Sequence, residues 1–162
     1  MTTPLTHKEL VLRAERWLLN SRGCGFCLSE LRVRKSLRKK AEIPDAIGWL
    51  YGISYLIECK TSRNDFLADG KKLFRQRPKK GMGNYRFYMT EPDLIAKDEL
   101  PERWGLLYVY KTQVRMIVKA AGFFSKDIAW NERPLLCSAL RRVHLRGDLK
   151  KIYDPGTQLR RR

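Results

Sequence analysis

Two acids and a lysine in the stretch 43–69 carry the strongest chemical signal in this chain. Asp45 follows Pro44, and Glu58 and Lys60 flank Cys59. Two carboxylates can hold a hard divalent cation, and an amine beside them can fix a water or a phosphate oxygen. Together they suit metal-dependent cleavage of a phosphodiester. The spacing tells which side chains can cooperate. Residues 53–60 read as a strand, with β-branched, aromatic and apolar types between Gly52 and the polar cluster at Thr61. Strand side chains alternate faces, so Glu58 and Lys60 share one side while Ile57 and Cys59 point to the other, into the core. Gly48 and Gly52 suggest a turn that returns this strand beside the segment bearing Asp45. On their own these residues also suit a solvated strand face with Asp45 in a turn.

The remaining composition favours a polyanionic partner. Thirty-four Lys plus Arg against seventeen Asp plus Glu give a formal net charge of +17. Such an excess repels itself unless something neutralises it, and nucleic acid is the default. An anionic membrane is the alternative, but no long apolar span or export-signal layout is present, so no membrane association is expected. A cytoplasmic location is expected, in a bacterial cell or in the host if the chain is phage-encoded. At 162 residues a single domain over 1–162 is expected, with a basic tail from about 147.

The elements follow from periodicity. Residues 6–20 read as an amphipathic helix, with Leu10, Val11, Ala14, Trp17 and Leu18 on one stripe. Thr6 and Glu9 have the spacing of a capping box. Strands are expected over 26–33, 43–49 and 53–60. A helix capped by Ser62 carries Phe66, Leu67, Leu73 and Phe74 on one stripe. A strand over 84–90, a hairpin over 105–119 and a helix over 135–145 follow. A helical crossover makes the 53–60 and 84–90 strands parallel, and the short connection makes 43–49 and 53–60 antiparallel. The outcome is a mixed α/β sheet with the acids at one sheet edge.

That order and those residues resemble the PD-(D/E)xK nuclease superfamily. The strings IECKTSRNDFLADGKK, NYRFYMTEPDLI and ELPERWGLL are similar to segments of the MmcB-like bacterial DNA-repair nucleases and related phage proteins. The resemblance spans roughly 30–109. It implies an α/β, restriction-endonuclease-like core of helix, three strands, helix and strand, here with a C-terminal hairpin and helix extension. It implies a DNA endonuclease acting in repair, recombination or phage DNA processing, with Asp45, Glu58 and Lys60 as the catalytic trio. Asp45, Glu58 and the Cys59 carbonyl would hold Mg²⁺, with Mn²⁺ as a substitute. Many members add a helix-borne acid, for which Glu15 is the candidate; Glu30 competes for that place.

Lys35, Lys39, Ser62, Arg63, Lys71, Lys72, Arg75 and Lys79 are the candidate nucleic-acid contacts, which position a backbone without reading sequence. Tyr85 and Tyr88 are candidates to stack on an unpaired base, or are core. The partner is DNA, with a homodimer left open. A catalytically inactive nuclease-fold DNA-binding protein and a basic RNA-binding protein are the competing readings. Cys24 and Cys27 form a Cys-x-x-Cys pair without a second pair to complete a zinc site, so reduced, mostly buried thiols are expected, with a four-cysteine iron–sulfur cluster as the outlier.

Overall fold

The structure is a computed structural model, which describes residues 4–33 and 42–153. A helix α1 (His7–Arg16) is followed by strands β1 (Phe26–Ser29), β2 (Ala46–Leu50) and β3 (Ile53–Cys59). Helices α2 (Arg63–Gly70) and α3 (Leu73–Gln76) lead to β4 (Tyr85–Thr90), β5 (Gly105–Val109), β6 (Val114–Val118) and the long helix α4 (Lys126–Leu145). The strands form one mixed sheet in sequence order. β3, β4 and β5 are parallel neighbours, and the outer pairings are antiparallel.

The apolar stripe of α1 explains where it lies. Leu10, Val11, Ala14, Trp17 and Leu18 are all buried, against Ile57, Cys59, Phe87 and Met89 on one sheet face. The Thr6–Glu9 capping box forms as expected. The helix runs on into a π-helical turn, Trp17–Ser21. On the opposite face Ile47, Trp49, Leu56, Tyr88 and Leu106 pack with Phe66 of α2 and Leu135 of α4. β3 is therefore covered on both faces, which is why its sequence is apolar on both sides rather than alternating.

The β2–β3 hairpin sets the register at the acids. Tyr51 and Gly52 both have positive φ, 49° and 79°, as a two-residue turn that follows strand twist requires. The pairing runs from Leu50↔Ile53 to Ala46↔Ile57. One more step places Asp45 across from Glu58.

Several element limits differ from the sequence reading. The 26–33 strand ends at Ser29, where Glu30 takes a φ of 46°. The helix after Ser62 breaks in two because Lys72 is extended, with ψ 143°. Phe66 is buried, but Leu67 and Leu73 are exposed, so the single stripe does not exist. The last helix starts nine residues before the expected 135, at Lys126. Pro134 lies inside it; the Ser125 cap and the buried Ile128, Glu132 and Leu135 hold the helix through the proline. The acids also lie at the ends of interior strands, Asp45 just before β2 and Glu58 near the end of β3, not at an edge of the sheet.

Candidate active site

Glu58 is the one acid of β3, and burial on both sides of the strand leaves its side chain only 3% exposed. No hydrogen bond reaches it among the described residues, and cations flank it instead. Arg75 Nη2 lies 3.1 Å from Oε1 and Lys60 Nζ 3.5 Å from Oε2. Lys60 is one residue beyond the strand, with its N–H still donating to the Met89 carbonyl at 2.9 Å. This keeps the alternation, and Lys60 shares the Glu58 side as the period of two requires.

Asp45 enters from β2. Its Oδ2 accepts from the Cys59 N–H at 2.7 Å, while Oδ1 lies 3.5 Å from His7 Nε2 at the start of α1. The same nitrogen is 3.5 Å from Glu30 Oε1. Asp45, Glu58, Cys59 and Lys60 are thus brought together. Glu15 is directed elsewhere: its carboxylate accepts from the Ser29 hydroxyl of β1. Glu30, linked to Asp45 through His7, is nearer the trio in connectivity.

Three residues that the sequence reading did not assign to the site complete its frame. Asp69 of α2 is fully buried and accepts from Arg75 Nε at 2.6 Å and from the Tyr88 hydroxyl at 2.7 Å. It also lies 3.3 Å from Lys60 Nζ and 2.6 Å from Lys72 Nζ. Glu42 is buried, paired with Arg75 and accepting from the Met82 N–H at 2.6 Å. Asp65 sits 3.8 Å from Lys60 Nζ. The signal for Asp69 was its position seven residues after Ser62, on the α2 side that faces β3. For Glu42 no local signal exists, because its partner Arg75 is 33 residues away.

Arg75 is a correction. The sequence places it among the candidate nucleic-acid contacts. Instead it is buried and held by Glu42, Glu58 and Asp69. Buried among three acids, with its side chain 2% exposed, the guanidinium has no surface left to meet a phosphate. Tyr88 is a second correction, because it is fully buried, bonded to Asp69 and stacked on Trp104 at 4.4 Å. Tyr85 stacks on Tyr55 at 5.1 Å. Among the remaining candidate contacts, Lys71, Lys72 and Lys79 are exposed. Arg63 is tied to Glu99 at 2.5 and 2.6 Å, and Ser62 caps α2 through Asp65 N–H. Lys35 and Lys39 lie outside the described residues.

The charges set the protonation states. Burial pushes Glu58 up to about 8, with Arg75 pulling it down and Asp45, Glu42 and Asp69 pushing it further up. Burial also raises Asp45, against the Cys59 N–H, His7 and Lys60. Burial works upward on Asp69 too, yet Arg75, Lys60 and Lys72 hold it well below the usual carboxylate range. Desolvation disfavours charge on Lys60, but Glu58 and Asp69 outweigh it and keep the amine protonated.

Among the described residues no group of three or more His, Cys, Asp or Glu side chains forms a ready cage for a metal ion. The donor set nonetheless fits a hard cation that retains its waters. Asp45 and Glu58 offer only oxygen, Glu58 accepts no hydrogen bond, and burial raises both carboxyls, so a nearby cation would relieve their repulsion. The four cysteines do not meet: Cys24 and Cys59 are in the α1-side core with Cys27 packed against it, Cys137 is exposed on α4, and all four are free thiols.

No family model matches the chain. No curated protein matches it either. A solved structure does: a protein of unknown function from Silicibacter pomeroyi superposes with a TM-score of 0.60 at 22% identity, over 97% of this chain and 96% of that one. At that identity the likeness is one of fold, and the chain is an α/β protein with a six-stranded mixed sheet.

Proposed function

We propose that the chain has a restriction-endonuclease-like core and hydrolyses DNA phosphodiester bonds with Mg²⁺, for which Mn²⁺ substitutes. The observation that supports this reading is the meeting of Asp45, Glu58 and Lys60 at the ends of two antiparallel strands, with the Lys60 amine 3.5 Å from Glu58. Asp45, Glu58 and the Cys59 carbonyl are the donors that would hold the ion. The ion, when bound, supplies a more acidic water and a counter-charge for the scissile phosphate.

The residues of the chain have separable tasks. Lys60 stays protonated, so it acts as a fixed cation toward a phosphate oxygen or the attacking water, not as a base. Asp69 and Glu58 position that amine from two sides. Arg75 offsets the charge of Glu42, Glu58 and Asp69, which keeps three carboxylates tolerable in one buried region. Lys71, Lys72 and Lys79 supply exposed charge for the DNA backbone.

One observation favours a second reading, a DNA-binding module without cleavage. Glu58 and Lys60 are closed into a buried ion network, which also serves as a structural brace. Calorimetric titration of Mn²⁺ separates the two. Binding by the wild type that is lost in Asp45→Asn and Glu58→Gln supports the nuclease. Equal binding by all three leaves the brace.

A further inference from the structure

α3 has two sides with different partners. Arg75 points to the carboxylates, while Phe74 lines a groove of about 480 Å³ with Lys79, Lys80, Asp127, Trp130 and Asn131. Trp130 is 56% exposed although it is one of the largest apolar side chains of α4. The Arg133 guanidinium covers its ring at 4.5 Å, and Lys72 and Arg75 lie 5.8 and 4.8 Å from the Phe74 ring. A second hollow of about 250 Å³ shares Lys79 and is lined by Arg103 and Phe124, the latter 67% exposed. Asn131 fixes the groove by donating to the Lys79 and Gly81 carbonyls at 2.8 and 3.0 Å. Among the lining side chains the exposed cations Lys79 and Lys80 outnumber the acid Asp127, whose carboxylate accepts from the Ser125 hydroxyl at 3.2 Å, and Arg133 is exposed beside Trp130.

We propose that this groove is the track of an unpaired DNA strand, whose bases stack on Trp130 and Phe74 while Lys79, Lys80 and Arg133 neutralise its phosphates. Flat rings set among cations suit a strand with free base faces; a duplex hides those faces in its own stack. A protein partner of apolar chemistry would leave the cations desolvated and unpaired. The groove is tied to the acids through ion pairs on the buried Asp69: Lys72, 5.8 Å from the Phe74 ring, pairs with Asp69, which pairs with Lys60. The proposal rests on the nuclease reading for the choice of DNA over RNA and for what happens to the strand at Glu58, but not for the binding of a single strand. It makes single-stranded or splayed DNA the substrate class.

The protein carries its own reporter. Of its four tryptophans, Trp17, Trp49 and Trp104 are buried and Trp130 is exposed. Titrate an oligothymidine of about 16 nucleotides, the upper site size of such grooves, into the full chain in EDTA, following emission and the anisotropy of a labelled strand. Quenching of the wild type by the single strand, and less by a duplex of equal length, is expected. Trp130→Ala should bind the strand about 5- to 100-fold more weakly, with Trp130→Phe near the wild type in affinity but without the quench. Equal affinity of Trp130→Ala and wild type, or equal quenching by duplex, overturns the track. An oligouridine bound more tightly than the oligothymidine overturns DNA as its occupant. Absence of cleavage with Mg²⁺ beside intact quenching removes the nuclease reading alone; cleavage with no effect of Trp130→Ala removes the track alone.

Discussion

Arg75 Nη2 lies 3.1 Å from Glu58 Oε1, with both side chains no more than 3% exposed. A guanidinium so placed offsets the charge of the acid without donating an aligned hydrogen bond to it. It also binds Asp69 and Glu42, so a single cation from α3 holds the loop before β2, the end of β3 and the end of α2 together. Removal of one member of a buried charged group strands the others.

Arg75→Ala should therefore destabilise the fold by about 3–5 kcal/mol, the usual cost of breaking a buried pair from one side. Arg75→Lys should recover part of this, since one ammonium cannot satisfy three carboxylates. Urea unfolding of the two variants measures both. A loss no larger than that of an exposed lysine such as Lys71→Ala would mean the network is already paired through water.

The β2–β3 hairpin and its acids were legible because short-range rules govern them. Period-two alternation put Glu58 and Lys60 on one side; the turn expected between Gly48 and Gly52 is confined to Tyr51–Gly52, with Gly48 inside β2 opposite Tyr55, and it still brings Asp45 across. The apolar stripe of α1 was equally plain. Arg75 was not legible: a basic residue in a basic stretch looks like surface, and only the meeting of Glu42, Glu58 and Asp69, each from a different element, buries it. Tyr88 misled for the same reason, because its hydroxyl partner Asp69 is 19 residues distant. The start of α4 was hidden by Pro134, whose local penalty is overridden by packing on the sheet.

Glu132 should prove a second anchor. Its buried carboxylate accepts from Trp49 Nε1 at 3.1 Å, from the Ser54 hydroxyl at 2.6 Å and from the Gly83 N–H at 2.9 Å. Gly83 has φ 84°, and a Cβ there would come within 2.6 Å of Leu56 Cβ, so the donor is fixed in place. Glu132→Ala leaves the Trp49 and Gly83 donors without an acceptor, at about 1–3 kcal/mol for each one left unsatisfied, while the Ser54 hydroxyl keeps Asn84 Oδ1 at 3.0 Å. Hydrogen exchange should then rise along α4. Unchanged exchange would show that Ile128 and Leu135 alone hold the helix.

Stability should fall as the pH rises through the neutral range. Glu58 has a folded value of about 8 against an ordinary 4.5. It binds its proton more tightly when folded, so its contribution is present below about 4.5 and is lost on passing 8. Asp69 is depressed and acts oppositely, losing its contribution as the pH falls below the ordinary carboxylate range. Melting curves from about pH 5 to 9 in EDTA test this, with Glu58→Gln as the control that removes the first slope. A wild-type slope identical to that of Glu58→Gln contradicts it. Mn²⁺ affinity should rise over the same interval, because the ion competes with the Glu58 proton.

DNA affinity should depend steeply on salt. Each neutralised duplex phosphate contributes about −0.9 to the slope of log K against log salt, and about −0.7 on a single strand. Lys79→Ala/Lys80→Ala should lower the slope magnitude by about 1–2 on a single strand. An unchanged slope would place these lysines off the DNA path.

Cleavage itself tests the central claim most directly. Incubate the wild type, Asp45→Asn, Glu58→Gln and Lys60→Gln with single-stranded, duplex and branched DNA, and with RNA as control, in Mg²⁺ and in EDTA, after confirming that each variant is folded. The wild type should cut DNA only with the metal. Asp45→Asn and Glu58→Gln should be inactive, and Lys60→Gln should lose roughly 10²–10³ in rate, as loss of one fixed transition-state charge does, while DNA affinity changes little. Wild-type protein that binds DNA but cuts none of these substrates, or Lys60→Gln that cuts at the wild-type rate, would contradict it.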